Sequence, residues 1–147
     1  MPDGPSPGLI IEQAHPTRNA SVDTLRGLLR HVVEAEGAQV EFLSVVLADH
    51  DTVRPLNREH LGHDYDTDVL SFPLAEPGDP PVVHGEIYVD LDTAAERHDE
   101  FDTTYEREVY RYAVHGLLHL LGYEDATPEA TSRMRALEDR YLNALSS

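Results

Sequence analysis

The 147 residues carry 28 Asp plus Glu against 11 basic residues, all of them arginine, for a net charge of -17. That length suits a single domain, 1–147, with residues 1–7 a flexible Pro/Gly-rich start, and the absence of cysteine excludes disulfides, thiolate metal sites and a cysteine nucleophile. No basic-then-apolar leader opens the chain and no run of about 18 apolar residues occurs, so a soluble, cytoplasmic protein without membrane contact is expected. By composition alone such a surface repels nucleic acid, because neutralising phosphates drives most non-specific binding. The same acidity without lysine also suits a protein bathed in multimolar salt, where self-repulsion is screened within about 3 Å at 1 M.

The stretch Gly8 to Glu12 reads as a short strand ended by His15-Pro16. Ser21 caps a helix whose apolar positions Leu25, Leu28, Leu29, Val32 and Val33 recur at helical spacing until Gly37. Val40 to Ala48 is apolar and β-branched enough for a buried strand, and Asp49 or Asp51 then opens a short helix ended by Gly62. Val69 to Phe72 is a short strand stopped by Pro73, and the turn-rich Ala75 to Val82 leads into an alternating strand from His84 to Leu91. A brief helix follows over Thr93 to His98. The long helix runs from about Thr104 to Leu121, apolar nearly all round in its second half. Gly122 ends it, and Thr127-Pro128 opens a last amphipathic helix through Met134, Leu137, Tyr141 and Leu142. The predicted fold is α/β (α+β), a small mixed four-stranded sheet packed with about five helices.

Within the long helix, HGLLHLLGYEDA places His115 and His119 one turn apart, so both imidazoles can reach one point. Both sit in the most apolar stretch of the chain, where a buried imidazole needs a partner. Gly122 lets the chain double back and bring an acid to close the site, Asp125 or alternatively Glu124. Three such ligands with a fourth position open to water are the form of a catalytic zinc site. The metallopeptidase motif H-E-x-x-H puts its general base directly after the first histidine; that residue is Gly116, which argues against a peptidase.

HGLLHLLGYEDA resembles the signature H-G-x-L-H-L-x-G-Y-D-H of the YbeY family of bacterial zinc-dependent endoribonucleases in ribosomal RNA maturation. LNREHLGHDYDTDVLSFP, Leu56 to Pro73, is similar to that family's L-N-x-x-[aromatic]-R-x-x-D-x-x-T-D-V-L-S-F-P segment, Gly85-Glu86-Ile87 to its G-[D/E]-I strand start, and Glu129, Ala130, Met134 and Glu138 to its final helix. The resemblance implies one zinc ion on His115, His119 and Asp125, the last standing where the family has a third histidine. It further implies Asn57, Arg58, Thr67, Asp68 and Ser71 as the residues that position RNA, ribosomal RNA as the substrate and not DNA, and small-subunit ribosomal proteins as partners. The family's arginine falls on Leu61, so Arg58 or His63 would have to stand in. Arg54, Arg58 and Arg111 are the cations expected near a cleft less acidic than the surface around it. His60, His63 and His84 read as surface or hydrogen-bonded residues, and Tyr105, Tyr112 and Tyr123 as packing aromatics. The competing expectation is a non-catalytic RNA-binding or ribosome-assembly factor that holds zinc only to fold.

Overall fold

The structure is a computed structural model that describes residues 8–61 and 68–146. Strands β1 (Leu9–Gln13), β2 (Gln39–Ala48), β3 (Val69–Pro73) and β4 (Val82–Asp90) form one sheet in the order β1-β2-β4-β3. The pairs β1/β2 and β2/β4 are parallel, and β3 runs antiparallel to β4 along one edge, with Ser71 opposite Ile87. Among the described residues five α-helices accompany it: α1 (Val22–Ala35), α2 (His50–Leu61), α3 (Leu91–Arg97), α4 (Tyr105–Leu120) and α5 (Pro128–Asn143). The mixed sheet and helix count are those expected from the sequence.

Local chemistry sets the boundaries. Ser21, Thr104 and Thr127 each accept a hydrogen bond from the backbone N–H three residues on, capping α1, α4 and α5. Asp49, not Asp51, does the same for α2 through Thr52 N–H at 2.9 Å. Gly37 at φ 68° follows the end of α1, a backbone conformation that costs glycine least. The β4 strand starts two residues before His84, because Val82 and Val83 already pair with Gln39 and Val40. The end of α2 expected at Gly62 lies outside the described residues, as does the segment 1–7.

Period-two alternation divides the sheet into two faces. Leu43, Val45, Leu47, Ile87 and Val89 point to one side, where Leu25, Leu29 and Val32 of α1 and Val109, Ala113 and Leu117 of α4 bury them. Tyr141 and Leu142 of α5 close this core. On the other side Ala48 and Leu70 pack with Val53 of α2, joined by Val46, Leu56, Phe72 and Tyr88. The two sequence motifs are thereby divided: α4, which carries His115 and His119, lies on one face of the sheet, and α2, which carries Asn57 and Arg58, on the other.

Candidate metal centre

Helix α4 crosses β3 and β4 at close range, and Gly116 makes that possible. A Cβ at this position would stand 2.9 Å from Ile87 Cγ2, 3.0 Å from Ser71 Oγ and 3.2 Å from Val69 Cγ2. The Ser71 hydroxyl uses the same closeness to donate to the Gly116 carbonyl at 3.1 Å. Position 116 therefore faces the sheet, and a glutamate there would be driven into the strands. The neighbours His115 and His119 project to the open side.

After α4 the chain reverses through Gly122, at φ 106°, while Gly122 N–H donates to the His119 carbonyl and Tyr123 N–H to that of Leu118. The turn returns Asp125 to the two histidines. His115 Nε2 and His119 Nε2 lie 3.0 Å apart, and Asp125 Oδ2 is 3.4 Å from the first and 3.6 Å from the second. Ligands about 2.1 Å from a tetrahedrally bound zinc stand about 3.4 Å from one another, so these separations suit one small cation.

The far sides of the rings decide what the near sides can do. His119 Nδ1 lies 3.1 Å from the Tyr123 carbonyl oxygen, and His115 Nδ1 lies 2.7 Å from Glu138 Oε2. Both partners are acceptors only, so both Nδ1 atoms carry the proton and both neutral rings turn an Nε2 lone pair toward the other and toward a carboxylate. Three electron-rich atoms facing one another without a donor call for a positive charge among them, a proton or a metal ion. Burial works against a charged His115, yet the hydrogen-bonded Glu138 carboxylate, helped by Asp68 and Asp125, outweighs it and raises this imidazole above its usual value. Glu138 is itself held by Arg111, 2.9 Å from its Oε1, and Arg111 continues to Asp139 at 2.6 Å.

Beside the histidines is a cavity of about 130 Å³ lined among others by Asp68, Arg111, Asp125, Arg135 and Glu138. Burial pushes the Asp68 carboxyl up, with His115 opposing. Met134 separates this cavity from a wider groove of about 360 Å³ bordered by Tyr123, Glu124, Thr127 and Arg133.

A second group, His50, Asp90 and Asp92, also brings a nitrogen and two carboxylate oxygens close together, at the carboxyl end of β4. There His50 Nδ1 meets Asp90 Oδ2 at 2.7 Å and His50 Nε2 meets Glu96 Oε2 at 3.0 Å, while His15, Arg18 and the His50 N–H all bond Asp92.

A family profile described as endoribonuclease YbeY matches residues 10–146. The chain belongs to that family. It is 59% identical to "Endoribonuclease YbeY" of Salinibacter ruber, over 98% of this chain and 95% of that one, and 41% identical to the protein of the same name from Chlorobium phaeovibrioides, over 93% and 91%. A solution structure of a Thermotoga maritima protein superposes with a TM-score of 0.66 at 30% identity, covering 93% of this chain and 91% of the other.

Against the YbeY motifs, the structure brings His115, His119 and Asp125 together and puts Asp68 and Ser71 at the same end of the sheet. Glu124 lines the outer groove, so the choice between the two acids falls on Asp125. Asn57, only 1% exposed, and Arg58 belong to α2, which packs on the opposite face of β3 and β4. Thr67 and His63 lie outside the described residues, as do the side chains of His60 and Leu61. His84 is half-buried, edge-on to the Phe42 ring. Tyr112 is buried, while Tyr105 and Tyr123 spend their hydroxyls on Asn19 and Glu36. Arg111, expected to meet phosphate, is committed to Glu138 and Asp139; Arg135, exposed at the cavity, was not singled out by the sequence. Glu138 matches the family's final helix, and the sequence assigns it no role. Its signal was present: a glutamate on the same α5 face as Met134, Tyr141 and Leu142, where an apolar residue would be routine.

Proposed function

We propose that the chain is a zinc-dependent, single-strand-specific endoribonuclease that acts in small-subunit ribosomal RNA maturation and ribosome quality control, with His115, His119 and Asp125 holding one zinc ion. The observation that carries this reading is the convergence of two Nε2 lone pairs and a carboxylate oxygen, each ring fixed from behind by an acceptor. Two imidazoles and one carboxylate suit zinc, whereas magnesium and calcium favour oxygen ligands throughout. A zinc ion bound there supplies a water that ionises near neutral pH and draws electron density from a phosphoryl oxygen.

The chain's own groups do the rest. Glu138 and the Tyr123 carbonyl hold the rings in the tautomer that leaves both Nε2 atoms free to ligate. Asp68, lining the same cavity, is placed to exchange a proton with water or with the leaving oxygen. Arg135 is the cavity's exposed cation and takes the phosphate contact that Arg111, tied to two carboxylates, is less free to make. Ser71 fixes α4 on the sheet through the Gly116 carbonyl and so sets the height of the histidines above β3. A part for Asn57, Arg58 and Thr67 in positioning RNA follows from the family resemblance; Asn57 is itself buried in α2, on the other face of the sheet from the histidines. Ribosomal RNA as substrate and small-subunit proteins as partners follow from the family resemblance.

One observation favours a second reading, an assembly factor that binds RNA without cutting it: Leu61 occupies the position of the family's arginine. Incubating the purified protein with single-stranded and structured ribosomal RNA, with and without chelator, at low and at multimolar KCl separates the two. Cleavage that chelator stops, zinc restores and His119→Ala abolishes is the expected result. Cleavage that persists in a His119→Ala, Asp125→Ala double variant overturns the zinc-hydrolase reading, and binding without cleavage under every condition favours the assembly factor.

A further inference from the structure

Glu36, just past the end of α1, lies far from the histidines in sequence and has no part in the motif. Its carboxylate accepts two tyrosine hydroxyls: Tyr123 donates to Oε1 at 2.6 Å and Tyr141 donates to Oε2. Each tyrosine belongs to an element that holds one of the histidines. Tyr123 is the residue whose carbonyl oxygen accepts from His119 Nδ1, and it stands two residues before Asp125 in the turn. Tyr141 lies one helical turn beyond Glu138, whose carboxylate accepts from His115 Nδ1.

We infer that Glu36 is a positioning residue for the metal centre, a single carboxylate that fixes, through Tyr123 and Tyr141, the two acceptors that orient His119 and His115. The end of α1, helix α5 and the turn after α4 meet in this clamp. Without Glu36 the Gly122 to Asp125 turn keeps its backbone bonds to α4 but loses its side-chain tie to α1, and the Tyr123 carbonyl and Asp125 are free to shift relative to His119. The clamp's geometry is that of a firm attachment: each oxygen of the Glu36 carboxylate is taken by one tyrosine hydroxyl. Tyr141 is 2% exposed, so its hydroxyl has little water to turn to if the carboxylate is removed.

The inference rests on the metal reading, and two measurements keep its failure separate. The first is zinc affinity, by competition with a chelating dye, for the parent, Glu36→Ala, Glu36→Gln, Tyr123→Phe and Tyr141→Phe. Partners behind metal ligands are commonly worth 10–100-fold in affinity, so Glu36→Ala and Tyr123→Phe should each weaken zinc binding about 10-fold. Glu36→Gln, whose amide oxygen can accept but whose NH₂ cannot, should fall between, and the Glu36→Ala, Tyr123→Phe double variant should be little worse than either single one. Tyr105→Phe removes a comparable hydroxyl bond, to the Asn19 carbonyl, away from the site, and should leave affinity within about twofold, which separates positioning from general destabilisation. If Glu36→Ala does not fold, Tyr123→Phe, lacking one hydroxyl only, decides. Affinity unchanged within about threefold in Tyr123→Phe overturns the proposal. The second measurement is the ring-nitrogen spectrum of the metal-free protein, in which His119 should show a protonated Nδ1 in the parent and a tautomer mixture in Tyr123→Phe. A parent that takes up no zinc refutes the metal reading, and the His119 spectra then decide the positioning role alone; identical spectra in parent and variant overturn it.

Discussion

Among the described residues two clusters gather histidine and carboxylates, and they are built in opposite ways. Around His50 every proton has an acceptor: Asp90 and Glu96 take the two ring nitrogens, and Asp92 takes His15, Arg18 and a backbone N–H. These bonds tie the start of α2 to the end of β4, through Asp90, and to α3, through Asp92 and Glu96. Around His115 the protons have all been drawn to the outer sides, leaving acceptors facing acceptors. Residue type and spacing alone admit a metal at both places; the hydrogen-bond direction favours it at the second. The lesson is that a ligand set is recognised by where its protons are held as much as by which side chains meet.

The largest effect that would sharpen the contrast comes from the ligands themselves. His119→Ala or Asp125→Ala should lower RNA cleavage by at least about 100-fold and abolish zinc uptake, whereas His50→Ala should keep zinc uptake and lose stability instead. Equal loss of zinc from His50→Ala would erase the distinction. Next, Glu138→Ala removes the acceptor behind His115 and leaves Arg111 with a lost partner; zinc affinity should fall about 10–100-fold, read by dye competition. Gly116→Ala should cost about 1–3 kcal/mol in urea unfolding, because the new methyl meets Ile87, Ser71 and Val69 at 2.9–3.2 Å.

The His50 side of the comparison has its own pH signature. Burial tends to raise the Asp92 carboxyl, but hydrogen bonds from His15, the His50 N–H and Arg18 outweigh it and hold it down at about 2, below the ordinary 3.8. A depressed carboxyl contributes stability that is fully present above the unfolded value and is lost as pH falls through the folded one. Urea midpoints should therefore drop between about pH 4 and pH 2 by an Asp92-dependent part of up to about 2 kcal/mol, and Asp92→Asn should flatten that part. A variant whose acid limb matches the parent's would contradict the pairing. The smallest and least local effect is that of salt: with a net charge of -17, the melting temperature should rise by a few degrees as KCl goes from dilute to molar. A falling melting temperature would mean that pairs such as those at Asp92 outweigh the general repulsion.

Much of this was legible in the chain. Helical periodicity and capping residues place the helices, because Ser21, Thr104 and Thr127 act within their own turn. The pair His115 and His119 and the reversal at Gly122 are local too, so Asp125 could be named. What could not be read depends on contacts between distant segments. Glu138 meets His115 across 23 positions and Glu36 meets Tyr141 across 105, and no spacing rule connects them. The separation of Asn57 and Arg58 from the histidines is of the same kind: the two motifs lie far apart in the chain, and the sheet puts α2 on one face and α4 on the other. Arg111 looked like a free cation because its partners, Glu138 and Asp139, come from another helix.

Which of the two clusters takes up zinc is decided by metal analysis of protein purified without added metal, for the parent, His50→Ala and His119→Ala. One zinc per chain is expected in the parent and in His50→Ala and none in His119→Ala; zinc that survives His119→Ala and disappears with His50→Ala would overturn the assignment to His115, His119 and Asp125.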